Sequence, residues 1–248
     1  MPLQAKRVLN QFRYAMYFNG TNAYVRIPDN TSLRITNDIT LIATVYPFNA
    51  NLWGAIITGR QITYFLAVSY NSFRFYLSHD YSTWFVLAGN TGGGMPPIPA
   101  QSSIWQMVAG SYTSSSGSYK AFVNGNLATS GSVTPQTIAL NDKGVVIGGA
   151  YASSPATYWF QGYIFNVMIY SRYLSDSEIQ YNYQNLDNPV TNGLVLWLQA
   201  DPQYIQGNTW IDLSGNGNNG TIYNAQLVQL EKTSARILDA NRILKVIR

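Results

Sequence analysis

Acid–base chemistry in a hydrolase needs two carboxylates placed together, and this chain has few to place. It holds two glutamates, Glu178 and Glu231, and nine aspartates. A glycosidase built on strands would carry its pair two residues apart, so that both carboxylates face one cleft. No E-x-D-x-E run or similar spacing is present. The closest pair, Asp176 and Glu178, lies in "LSDSEIQYNYQN", where Ser175 followed three residues on by Glu178 spells a helix capping box. The expectation is a protein that is not an enzyme.

Other chemistries are excluded outright. With no cysteine there is no disulfide and no thiolate metal site, and with His79 as the single histidine there is no multi-His zinc site. "NTGGGMPPIPA" (90–100) is glycine-rich but lacks the lysine and following helix that phosphate binding requires.

What the chain has in quantity is aromatic side chains, 14% of its residues with 19 Tyr, against 10% charged. Sugars bind shallow surfaces through ring stacking and hydroxyl or amide hydrogen bonds. The glycan-binding candidates are those aromatics in loops or at strand ends: Trp53, Tyr81, Trp84, Tyr151 and Tyr158. Each competes with a plain packing role, because most aromatics here sit at alternating strand positions. Asn19, Asn30 and Asn219 head glycosylation sequons, the first and last of them in tight turns.

The elements that must position these residues read as strand after strand. "YAMYFNG" and "AYVRIP" flank the turn signal Asn19-Gly20. "ITLIATVYPF" ends at a proline, as a strand should, and "ITYFLAVSY", "SFRFYLS" and "STWFVLAG" suggest a meander. About a dozen short strands and one short helix predict an all-β, two-sheet antiparallel sandwich. No apolar run approaches the 18 residues of a membrane span, and no secretory signal is visible.

Charge is unevenly spread. Residues 1–13 hold Lys6, Arg7 and Arg13, and residues 226–248 hold five cations against Glu231 and Asp239, each end a net +3. Residues 14–225 hold seven cations and nine carboxylates, a net −2. A basic stripe for nucleic acid is therefore absent from the body. "RVLNQFR" (7–13) and "RILKVIR" (242–248) share Arg, Leu and Arg at one spacing, and "ARIL" (235–238) adds a partial copy, which marks Arg7, Leu9, Arg13, Arg236, Arg242, Leu244 and Arg248 as residues of two assembly arms. Scarce carboxylates also leave few groups whose protonation could unfold the protein in acid.

"YFNGTNAYVRIPD" (17–29), "WQMVAGSY…FVNG" (105–125) and "FQGYIFNVMIYSRYLSDSEI" (160–179) together resemble the laminin-G-like branch of the concanavalin A-like lectin/glucanase jelly rolls. So does "LVLWL…DLSGNGNNGT" (194–221), but in the family that piece comes first. The resemblance implies a single jelly-roll domain over 14–225 with a permuted order, 193–225 supplying the usual first strand between a 1–13 arm and a 226–248 arm. Relatives of this fold often carry calcium, and "DLSGNGNNG" offers Asp212, Asn216 and Asn218 for a weak site, against the favoured reading of an Asx/Gly turn. No other cofactor is expected. The permuted block, the R-I/V-L repeats and the scarce carboxylates also look like proteins of acid-loving hyperthermophilic archaea and their viruses. Three readings follow. The leading one is a structural and recognition protein on an extracellular particle or virion surface, self-associating through its arms. The alternative is a soluble lectin-like module; a glycoside hydrolase is the least favoured.

Overall fold

The computed structural model describes residues 12–59, 63–89, 96–149 and 158–230. Eighteen strands form among them. The first nine are β1 (Tyr14–Asn19), β2 (Tyr24–Ile27), β3 (Ile39–Pro47), β4 (Gly54–Gly59), β5 (Tyr64–Ser69), β6 (Ser72–Ser78), β7 (Trp84–Ala88), β8 (Ile98–Pro99) and β9 (Gln106–Tyr112). Next come β10 (Ser118–Val123), β11 (Asn126–Ser132), β12 (Val145–Ile147), β13 (Gln161–Tyr170) and the helix α1 (Asp176–Gln184). The chain closes with β14 (Leu194–Gln199), β15 (Ile205–Gln206), β16 (Thr209–Trp210), β17 (Gly220–Tyr223) and β18 (Gln226–Gln229).

The strands pair antiparallel into two sheets. One has eight strands in the order β11-β10-β9-β3-β13-β1-β18, with β14 also paired to β13. The other has ten, in the order β15-β16-β17-β2-β12-β4-β5-β6-β7, with β8 also paired to β6. This is the all-β, two-sheet antiparallel sandwich that the strand pattern predicts, and the jelly roll that the family resemblance implies.

Period-two alternation decides what each strand buries. In β5, Tyr64, Leu66 and Val68 enter the core between the sheets, while Phe65 and Ala67 turn outward. In β6, Phe73, Phe75 and Leu77 point inward, which sends Arg74 and Tyr76 outward. The sheets approach so closely at Gly110 that an added Cβ would lie 2.3 Å from Phe75 Cγ. On β13 the outward Phe165, Met168 and Tyr170 pack under Ile179 and Tyr183 of α1. The helix starts at the expected capping box, Ser175 and Glu178 each bonding the other's backbone N–H. It covers part of the eight-stranded sheet; no described α-helix covers the outer face of the ten-stranded one. None is long and apolar enough to cross a membrane.

Asn19-Gly20 forms its turn but closes no hairpin. It carries the chain from β1 in one sheet to β2 in the other, with Gly20 at φ +77 and Asn19 Oδ1 accepting the N–H groups of Thr21, Asn22 and Ala23 at 2.9–3.1 Å. The reverse crossing, from β17 to β18, runs beside it, and Asn224 Nδ2 donates to the Asn22 carbonyl at 3.2 Å. Residues 193–225 lie within both sheets: β14 in the first, β15 to β17 in the second, with Trp210 fully buried.

Both ends of the described chain differ from the expected arms. Gln226–Gln229, placed in the C-terminal arm by sequence, pairs with β1 because Leu227 and Val228 have apolar surface to cover there. Phe12, placed in the N-terminal arm, stacks on Phe165 at 3.9 Å and meets Trp105 edge-on at 4.9 Å. Arg13 is exposed, and its carbonyl accepts the Leu230 N–H at 2.8 Å. The other arm residues, Arg7, Leu9, Arg236, Arg242, Leu244 and Arg248, lie outside the described residues.

Candidate functional site

The outer face of the ten-stranded sheet gathers aromatic rings. Trp53 immediately precedes β4, and the Ala55 N–H donates to the Tyr158 carbonyl at 2.9 Å, which lays residues 158–160 beside that strand. The Trp53 and Tyr158 rings are 5.4 Å apart and tilted. Tyr70, in the tight β5–β6 turn, meets Trp53 edge-on at 6.3 Å. Tyr70 is 61% exposed and Tyr158 43%.

Arg74 holds this group from beneath. Its guanidinium lies 5.8 Å from the Trp53 ring centre and 5.9 Å from that of Tyr70, a cation–π arrangement with both. Nε donates to Ser69 Oγ at 2.9 Å, Nη2 to the Ser69 carbonyl at 3.4 Å and Nη1 to the Gly89 carbonyl. The side chain is buried, and all three acceptors are neutral.

Trp84 lies on the same face, 5.5 Å from Tyr76 and 6.0 Å from Phe65, in an apolar cluster with Ala55, Ala67 and Leu87. Burial pushes the Tyr76 phenol pKa up, and Arg74 opposes the shift. Tyr81 stands apart. It is exposed, makes no ring contact among the described residues, and its hydroxyl donates to the Leu140 carbonyl at 3.0 Å. Its turn is set by Asp80, whose carboxylate accepts the N–H groups of Thr83 and Ser82 and is held far below its usual pKa by them. Tyr151 lies outside the described residues. Of the sequence candidates, Trp53 and Tyr158 are brought together, and Trp84 shares their sheet face.

Sequence reading missed a second group. Tyr24 stacks on Tyr223 with ring centres 4.6 Å apart and 11° between planes, and tilts against Trp159 at 5.8 Å. Trp159 follows Tyr158 in the chain, so the two groups adjoin. Alternation carried the signal: Tyr24 precedes the core residue Val25 and must face outward. The same rule points Arg74 outward between Phe73 and Phe75.

Most of the described carboxylates serve structure. Asp212 Oδ1 accepts the N–H groups of Trp197 at 2.9 Å and Ser214 at 3.0 Å; Oδ2 accepts the Asn218 N–H at 2.9 Å and the Ser214 hydroxyl at 2.8 Å. Asn216 and Asn218 donate their side-chain amides to the carbonyls of Leu194 and Val195. Asn218 Oδ1 is buried without a partner, one oxygen where calcium takes six to eight. The segment is therefore built as an Asx/Gly turn, and no group of three His, Cys, Asp or Glu side chains placed to hold a metal occurs among the described residues. Asp176 pairs with Lys120 at 2.6 Å and Asp142 with Lys143 at 3.0 Å. Glu178 pairs with Arg172 at 2.5 Å, and that guanidinium, helped by Ser175, brings its pKa down to about 2.

A family model described as the concanavalin A-like lectin/glucanases superfamily matches residues 19–180, well over half of the chain. Three solved structures share the fold. A candidate carbohydrate-binding protein from Bacteroides ovatus matches with a TM-score of 0.70 at 17% identity, over 88% of this chain and 60% of its own. This chain thus spans about three-fifths of that protein's length. The heptameric SAP-like pentraxin of Limulus polyphemus matches at 0.51 and 15% identity, over 73% of this chain and 83% of its own. Domain 4 of a GH43 extracellular arabinanase from Geobacillus stearothermophilus, solved with arabinotriose, matches at 0.51 and 20%, over 67% and 75% respectively. At these identities the likeness is one of fold. No curated protein matches the chain.

Proposed function

The chain belongs to the concanavalin A-like lectin/glucanases superfamily, and from that premise we propose that it is a non-catalytic glycan-binding module acting outside the cell. The observation that carries this reading is the Trp53–Tyr70–Tyr158 group, exposed at its rim and braced from below by Arg74. Such rings offer flat apolar faces to sugar C–H groups at low entropic cost, because an aromatic side chain has only two torsions to fix. The fold neighbours described as carbohydrate binding or solved with an oligosaccharide support the same reading.

Non-catalysis is supported by the use made of the carboxylates. A general acid needs a raised pKa, whereas Glu178 is lowered to about 2 and Asp80 and Asp29 are also lowered. The particle-surface reading rests on terminal arms that lie mostly outside the described residues, and the three structures above come from bacteria and an animal. The module reading therefore leads.

A glycan array probed with the full chain tests it. Binding of at least one oligosaccharide, with quenching of tryptophan fluorescence and no reducing-sugar release, is the expected result. Failure of every glycan to bind would overturn the reading, and sugar release would overturn its non-catalytic half.

A further inference from the structure

Between Tyr14 and Ala225, most of the described cations are paired with a carboxylate. Arg34 pairs with Asp29, Lys120 with Asp176, Lys143 with Asp142 and Arg172 with Glu178. Among the described residues of that span, Arg26 and Arg74 are the two cations without a carboxylate partner. Both face outward from the ten-stranded sheet. Arg26 lies between the core residues Val25 and Ile27, and its side chain is exposed beside the stacked Tyr24 and Tyr223. The strands of that sheet contain these two arginines and no Asp, Glu or Lys. In a body with a net charge of −2, the strands of this sheet thus carry two cations and no acid.

The two arginines do different things. A buried guanidinium without a counter-ion projects its field further than an exposed one, because little water screens it. Arg74, 2% exposed and bonded only to neutral oxygens, makes the rings above it an anion-attracting surface. Arg26 offers its planar fork of donors, which fits a carboxylate through two parallel hydrogen bonds. The strands bearing them, β2 and β6, are four steps apart in the sheet. At ~4.8 Å per step that is about 19 Å, with an aromatic group beside each arginine. The span suits a chain of sugars better than a single one.

We propose that the outer face of the ten-stranded sheet takes an extended, carboxylate-bearing glycan, Arg26 pairing a sugar carboxylate while the aromatic rings stack on sugar faces. This rests on the glycan-binding reading above and specifies its ligand class.

The test uses the full chain and three acidic polymers, polygalacturonate, alginate and hyaluronate, each beside its carboxyl-reduced counterpart. Reduction keeps the rings and linkages and removes the charge. At least one acidic polymer should bind ten-fold or more tightly than its reduced form. Arg26→Gln should erase that difference while leaving binding of the reduced form and the melting temperature unchanged, and Arg13→Gln should preserve it. Equal binding of acidic and reduced forms would overturn the acidic-ligand inference and leave the glycan reading standing. Acidic binding untouched by Arg26→Gln, or abolished by Arg13→Gln, would overturn the assignment to this face. If none of the six polymers binds, the inference falls, and the neutral sugars of the glycan array decide the broader reading separately.

Discussion

The Asp212 carboxylate accepts the backbone N–H of Trp197 at 2.9 Å, fifteen residues back in the chain. Trp197 is in β14, and that strand is the one part of residues 193–225 paired into the eight-stranded sheet. The same carboxylate gathers Ser214 and Asn218, so one side chain fastens the glycine-rich turn to the sandwich.

Asp212→Ala leaves these buried donors without acceptors, and each such group costs about 1–3 kcal/mol. The substitution should lower stability by about 2–4 kcal/mol in urea melts. Because the carboxylate already serves the turn, millimolar calcium or a chelator should leave the melting temperature of the natural protein unmoved. A calcium-dependent rise would contradict that assignment.

Tyr158→Ala removes an exposed ring that meets Trp53 but little else. Stability should change by about 0.5 kcal/mol or less, while affinity for the best array ligand should fall about ten-fold. Calorimetric titration beside a thermal melt separates the two effects. Equal affinity in the variant would remove Tyr158 from the site.

Gly110→Ala should destabilise the fold by about 1–3 kcal/mol, the usual range for overpacking, because the new methyl would collide with the Phe75 ring. Combining it with Phe75→Leu should recover part of the loss, since both changes act on one gap between the sheets. Additive losses in the double variant would show that the two residues are not coupled.

Acid stability should carry the mark of Glu178. Its pKa is depressed in the fold, to about 2, by Arg172 and Ser175. The stability it contributes is therefore full above its unfolded pKa, near ~4.3, and drains away as pH falls toward 2. Glu178→Gln should be less stable than the natural protein at pH 6 and should lose less of its remaining stability between pH 4.5 and 2. Parallel pH profiles for the two proteins would refute this.

The sandwich was legible because alternation names the buried face of each strand, as in "YFLAVS" and "SFRFYLS". Crossings between sheets were less so. Asn19-Gly20 has the residues of a hairpin turn, and only the register of β1 against β13 and β18 shows that the next strand leaves for the other sheet. The site was half legible for a related reason. Loop position drew attention to Trp53 and Tyr158, but it cannot say which rings from distant strands will meet. Tyr24 and Tyr223 lie 199 positions apart in the chain and become neighbours only when β2 and β17 pair. Arg74 was visible as an outward residue, yet the absence of any acid across ten strands is a property of the assembled sheet.

The bond from the Leu230 N–H to the Arg13 carbonyl, with β18 lying against β1, brings the way in and the way out of the sandwich to one doorway. A unit threaded in this manner can be spliced into a surface loop of a host protein as readily as strung in a row. Such a graft would hang from a narrow two-stranded stalk, its arginine-bearing side free to turn toward whatever lies opposite.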